Sequence, residues 1–409
     1  VSFLGTRPAA AIAVVAMAAA VAAACGSHAD RGAIDPKLDP QTCRSCHADH
    51  FRSWSGSMHA YAGDDPVFLA MNARAQRETN GSLGTFCVSC HAPMAVRLGL
   101  TKDGTNLAAL PANVRGVTCY ACHAIDGEMH GAIVDPLPTD AHASAYAATH
   151  DRSRAESAQL CGGCHDVTTP ANVAVERTYS EWRASTFASD ATFKACGACH
   201  MPATDGAAAT IPNAPTRRVH DHAMPGVDVA LGPWPEADAQ RKAVQSNLDP
   251  AITAKLCVTG ESGKLRVSLT LGNANIGHDW PSGASHDRRA WAEIAAYYGA
   301  RTVFTSDAFV LRERLFDARG GDVRFMWQAV SFAVASLPPQ GALAESWLVD
   351  AADRVTARVR ITPFGADVVD DLIASGDLDP KLRDAIPTFT LRITELEWTA
   401  ARGVPSCIP

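Results

Sequence analysis

Five stretches constrain this chain more than anything else in it: Cys43-Arg-Ser-Cys46-His47, Cys87-Val-Ser-Cys90-His91, Cys119-Tyr-Ala-Cys122-His123, Cys161-Gly-Gly-Cys164-His165 and Cys196-Gly-Ala-Cys199-His200. All five read C-x-x-C-H. At this chain's own Cys and His frequencies, chance supplies roughly 0.015 copies of that pattern. Two thiols three positions apart can each add to one vinyl group of the same haem, giving two thioethers. The next histidine then lies beneath the iron and offers an imidazole nitrogen as proximal ligand. A zinc site would gather four ligands, often from two neighbouring C-x-x-C pairs, and would not require a histidine after each pair. A thioredoxin-like redox pair occurs once, in another context. The pattern therefore predicts five c-type haems with their iron. Cys43, Cys46, Cys87, Cys90, Cys119, Cys122, Cys161, Cys164, Cys196 and Cys199 hold the porphyrins, and His47, His91, His123, His165 and His200 are the proximal ligands.

Thioether haem attachment needs an oxidising compartment, and the first residues agree. Arg7 precedes an apolar, alanine-rich run from Ala9 to Ala24, with no acidic residue before Asp30. The run is short for a bilayer span and suits the core of a signal peptide. It ends "VAAAC" at 21–25, so Cys25 is expected to carry a lipid after processing; plain cleavage after Ala24 is the alternative. The expected location is periplasmic or at the outer membrane or cell surface, anchored at Cys25. Ten of the thirteen cysteines serve haem and Cys25 the anchor, which leaves Cys257 and Cys407 as a candidate disulfide. The alternative for those two is a pair of buried free thiols. A formal net charge of −7, with no basic run of five or more, disfavours a nucleic-acid partner.

The fold class expected is multidomain: a haem-packed, mainly α and irregular multihaem cytochrome domain followed by a β-sandwich-like domain. The divisions are a signal peptide at 1–25, a tether at 26–40, the pentahaem domain at 41–216, a connection at 217–250 and the β domain at 251–409. Within the haem region, 66–77 and 178–188 look helical. "SWSGSMH" at 53–59 echoes "EWRASTF" at 181–187, both W-x-x-S, but His59 in the first faces Phe187 in the second. "CHAP" at 90–93 echoes "CHMP" at 199–202. Residues 203–250 read as Pro-rich with little periodicity. Beyond them, 255–273 alternates as two strands around a turn, followed by strand candidates at 291–298, 301–305, 323–332, 344–349, 353–361 and 389–398. Short helices are expected at 365–375 and 379–386. Five haems in about 160 residues cannot avoid lying near one another.

Ten histidines remain outside the motifs. A second imidazole makes a six-coordinate electron-transfer haem, whereas an open position permits substrate chemistry. His59, His150, His222 and His278 are the expected distal ligands, with His220 competing with His222. The fifth place lies among His142, His130, His286 and His50, or stays open. His28 falls in the tether. Methionine ligation is less favoured, because Met94 and Met201 follow a proximal histidine too closely to reach the opposite face of its haem.

"CRSCHADHFRSWSGSMHA", "FCVSCHAPMA", "GVTCYACHA", "LCGGCHD" and "CGACHMP", in that order, resemble the multihaem cytochrome c superfamily. Its members include the tetrahaem cytochromes that take electrons from hydroxylamine oxidation, and the multihaem reductases. "RVHDHAMPGVDVAL" and "NANIGHDWPSGASHDRRAWAEI" resemble the junction between haems and sandwich in exported members with a C-terminal β domain. The resemblance implies His59, His150, His222 and His278 as distal ligands and departs at Phe187, where no ligand stands. The C-x-x-C-K site of pentahaem nitrite reductases is missing, and the eight haems of hydroxylamine oxidoreductases exceed the five motifs here. The expected function is electron carriage between redox partner proteins through a mainly bis-histidine array. The alternatives are reduction of a small nitrogen or sulfur oxyanion at one open haem, and self-assembly into a polymeric or outer-membrane conduit.

Overall fold

The structure is a computed structural model that describes residues 38–125, 128–132 and 144–409. Cys25, His28, His142 and the leader lie outside the described residues. A helical and irregular first part is followed by a β-rich last part.

The first part is built from short helices that the haem motifs themselves form. Cys119–His123 and Cys196–His200 are single helical turns. In the first, second and fourth motifs the histidine N–H bonds the carbonyl of the leading cysteine. That i to i+4 bond places both thiols and the imidazole on one helical face. The longest helix here, Pro66–Glu78, has Asp65 as N-cap and Pro66 in its first turn, as helix starts favour. Short strands pair in small sheets: β1 (Ala124–Ile125), β2 (Glu128–Gly131) and β3 (Ser144–Tyr146) in one, β4 (Val167–Thr168) with β5 (Ala174–Glu176) in another. β6 (Ala203–Ala207) pairs with β7 (Thr216–His220). Conventional core is sparse: one small cluster gathers Phe68, Val88, Ala92, Ala95 and Leu107, another Ala158, Trp182 and Ala195.

The connection differs from its sequence reading, because Ala237–Leu248 is a helix. It buries Gln240, Val244 and Leu248, one residue per turn. Its Gln240 amide bridges Gly56 O and Ala230 N at 2.7 and 2.8 Å. A buried face with a glutamine at its head carries too little apolar periodicity to be read as a helix.

The last part consists of two antiparallel sheets around one core. The first orders β14 (Ala342–Val349), β9 (Lys264–Gly272), β8 (Thr253–Glu261) and β17 (Ser406–Ile408). The second orders β12 (Asp322–Val323), β11 (Arg301–Phe316), β10 (Arg289–Tyr298), β15 (Arg354–Thr362) and β16 (Phe389–Thr399), with β13 (Ser331–Ala335) also on β11. Burial alternates along β10 and β15, and Leu256, Leu269, Ile294, Val359 and Leu391 meet between the sheets. Cys257 and Cys407 stand opposite each other on β8 and β17 and form the disulfide.

β11 is much longer than the expected 301–305. At Phe309 the backbone turns to φ +51°, next to a bulge against β10. The second half of β11 then leaves β10, pairs with β13 and reaches the haem region, where Leu315 packs with Val173 and Val175. A second junction packs Val67 and Ala70 of the Pro66–Glu78 helix against Val368, Val369 and Leu372 of the Ala366–Ala374 helix. Arg74 bonds Asp371 at 2.5 Å, and Arg77 forms two bonds with Asp377 at 2.8 and 2.9 Å.

Candidate haem sites

Between the two parts lies one continuous cavity of about 2310 Å³, lined by all ten motif cysteines and all five motif histidines. Ordinary small-molecule pockets run to roughly 1,000 Å³. His50, His59, His130, His150, His220, His222 and His278 also line it, whereas His286 does not.

Most motif histidines have their rings fixed by backbone carbonyls. Nδ1 meets a backbone carbonyl in four of them: His47 to Ala208 O at 2.8 Å, His91 to Ala62 O at 3.4 Å, His123 to His130 O at 3.0 Å and His200 to Pro225 O at 2.8 Å. With Nδ1 donating, Nε2 keeps its lone pair for a metal, and the carbonyl fixes the ring. His222 and His278 use the same device, on His220 O at 2.9 Å and Asp279 O at 2.7 Å. Burial pulls His91, His59 and His278 down to about 4 and His222 to about 3, so these rings are neutral near pH 7.

Metal–imidazole bonds of about 2 Å, with about 1.1 Å more to the ring centre, put opposed imidazoles on one metal about 6.2 Å apart, centre to centre. Three pairs have this spacing. His59 lies 6.1 Å from His165, His222 lies 6.2 Å from His123, and His278 lies 6.3 Å from His200. The last two pairs are within 30° of coplanar. His150 is placed differently: its ring stacks 4.7 Å from His123, too close for an iron between them, and its Nε2 meets Cys122 O at 3.1 Å. His50 lies 5.9 Å from His47, edge to face, and 4.9 Å from His222. His220 Nδ1 meets Met201 O at 2.8 Å. His286 is buried outside the cavity, 3.6 Å from Asp287. Beside His91, the Phe68 ring stacks at 3.8 Å.

The self-similar W-x-x-S segments explain two of these placements. Trp54 Nε1 donates to Val117 O at 2.8 Å, and Trp182 Nε1 to Lys194 O at 2.9 Å. Each carbonyl lies two residues ahead of a haem motif. Ser57 and Ser185 each accept a backbone N–H just downstream, from Ala60 and Phe187. In the first segment this turn presents His59 toward His165. Gly116, at φ +79°, packs so tightly against this turn that a Cβ would collide with the Ala60 carbonyl, and Val117 N bonds His59 O at 2.7 Å. In the second segment Phe187 and Trp182 pack on Gly277, each 3.2 Å from where its Cβ would stand. The neighbouring His278, from the β-rich part, supplies the ring facing His200.

These residues fit haem. Among the described residues, no three or more His, Cys, Asp or Glu converge as a metal cage, which a zinc site would require. A haem iron takes four ligands from its porphyrin and needs only one or two from the protein. The motifs also adjoin one another: the thiols of Cys43 and Cys119, of Cys90 and Cys164, and of Cys161 and Cys196 lie close enough to act on each other.

Residues 42–124, which hold the first three motifs, match the family of cytochrome c554 and c-prime. The fold is similar to the crystal structure of a penta-heme cytochrome c552 from Thermochromatium tepidum, with a TM-score of 0.67 and 20% identity, over 89% of this chain and 100% of that chain. No curated protein matches the sequence. With the five C-x-x-C-H motifs, these likenesses support reading the chain as a multihaem c-type cytochrome. Its cofactors are c-type haems, with iron. No helix among the described residues is long and apolar enough to cross a membrane.

Proposed function

We propose that this protein is an exported pentahaem cytochrome c that passes electrons through a close-packed, mainly bis-histidine array. The reading is carried by the three imidazole pairs spaced 6.1–6.3 Å inside a cavity that all five motifs share. When bound, the haems supply one-electron chemistry between ferric and ferrous iron. The chain's own residues hold and tune them. The ten motif thiols anchor the porphyrins, and the five motif histidines ligate from one side. His59, His222 and His278 approach from the other, each placed by a turn or a strand end. His150 is kept as a candidate ligand that would have to leave Cys122 O.

The contacts of the first motif with the third, the second with the fourth and the fourth with the fifth favour transfer between neighbours over independent centres. Imidazole on both faces gives lower potentials than histidine with methionine. The net negative charge would steer a basic redox partner. A lipid on Cys25 would hold the protein at a membrane surface. Pyridine haemochrome analysis against protein mass should return five haems per chain, and the oxidised protein should be mainly low-spin by electron paramagnetic resonance. A count far from five, or mainly high-spin iron, would overturn the reading.

A further inference from the structure

On the wall of the haem cavity, where the two parts meet, lies a group of buried and half-buried charges that no haem motif uses. Arg288 is half-buried, with Nη2 on Asp228 at 2.9 Å and Nη1 on the Ser282 carbonyl. Around it stand Asp287, from the same loop, and Glu176, at the end of β5. Glu176, Asp228, Asp287 and Arg288 all line the cavity. Asp287 is only 5% exposed, and its Oδ1 has no hydrogen-bond partner. Its Oδ2 lies 3.6 Å from His286, whose Nδ1 is likewise unpartnered. Arg289 and Asp367 also act on Asp287. Glu176 also acts on Glu313 of β11, which is held by Arg177 at 2.5 Å, with Glu181 beyond. Glu176 in turn lies close enough to Cys90 and Cys164 to act on their thiols.

Carboxylates thus outnumber the cations here, and Asp287 and Glu313 are the two that are buried. One carboxylate oxygen has neither donor nor solvent, which is costly for an anion and cheap for a protonated acid.

We propose that Asp287, together with Glu176, is a proton-binding site that fills when an electron enters the haem array. This rests on the electron-carrying reading above. One electron from a low-potential donor protein takes one ferric iron to ferrous, and one proton from solvent forms an O–H bond on the carboxylate. The charge of the buried region is then unchanged by the pair of events. Without the proton, the incoming electron would add a further negative charge beside an unscreened carboxylate. Burial has already pushed Asp287 up to about 7 and raised Glu176, so a modest change in nearby charge moves a proton at neutral pH.

The test is a spectroelectrochemical titration of the haem-loaded protein between about pH 5.5 and 8.5. At least one component should change its reduction equilibrium tenfold per pH unit, which is about 59 mV. Asp287→Asn, with full haem content, should flatten that dependence, and Glu176→Gln should shift the pH at which it sets in. Potentials independent of pH, or a slope kept unchanged in both variants, overturn the proposal. If neither variant loads haem, the reduced-minus-oxidised infrared spectrum of the wild type decides. A carboxylic acid C=O band that moves with isotopically labelled aspartate supports the site, and its absence overturns it. The same samples report haem content and reducibility. A fully loaded, reducible protein without proton uptake sinks this inference and leaves the electron-carrying reading standing.

Discussion

At the scale of single residues, the site was legible where chemistry demands fixed spacing and obscure where it does not. Thioether formation fixes the separation of two cysteines and a histidine, so all five motifs that line the cavity could be read from the sequence. A distal imidazole can arrive from anywhere in the chain. His59, His222 and His278 were named from their surroundings, and the structure brings each to a motif histidine. His150 was named in the same way and instead rests on Cys122 O. The partnering itself, such as His59 with the fourth motif, had no signal in the sequence. His278→Ala should convert one iron to high spin, seen as a new signal in electron paramagnetic resonance. His286→Ala, outside the cavity, should leave the spectrum unchanged. Asp287 also bears on stability. Its folded pKa of about 7 lies above the ordinary value of about 3.9, so the folded state binds a proton that the unfolded chain releases. The stability from this group is therefore complete below about pH 4 and is lost as pH rises through 7. Denaturation of Asp287→Asn at pH 5 and pH 8 should show a smaller loss over that interval than the wild type.

Elements followed local rules until tertiary packing intervened. The Pro66–Glu78 and Ala366–Ala374 helices and the β8–β9 hairpin were readable because capping and alternation act within a few residues. The kink at Phe309 was not, because glycine or asparagine is the usual sign of positive φ and neither stands there. The Ala237–Leu248 helix was missed because a buried glutamine leads its inward face. Gly116 is a place where a backbone requirement governs a ligand. Gly116→Ala should cost at least about 1–2 kcal/mol in chemical denaturation and disturb the low-spin signature of the iron opposite His59. The Cys257–Cys407 bridge closes a loop of 150 residues. Replacing both cysteines by serine should lower stability by up to about 5 kcal/mol, measured with guanidinium under non-reducing conditions.

For the whole molecule, haem takes over the role of a conventional core in the first part, while the β-rich part folds around aliphatic side chains of its own. Junctions that hold them together include the β11 extension on β5, the Arg74 and Arg77 pairs on the Ala366–Ala374 side, and the charged group around Arg288. The order of a helical haem region and a β region could be read from where the motifs stop and alternation begins. How closely the two would interlock could not, because the junctions join residues 60 or more positions apart. With a formal charge of −7, electron transfer to a basic partner should slow as ionic strength rises, a dependence that stopped-flow mixing would measure.

His278 follows His200 by 78 positions and belongs to the other half of the molecule. On the present reading haem is attached after export, so an iron loaded at the fifth motif before the β-rich half has folded would be held from one side only. Closure waits for the hairpin of β8 and β9 to fold, so completion of this centre reports that the second half of the molecule is in place.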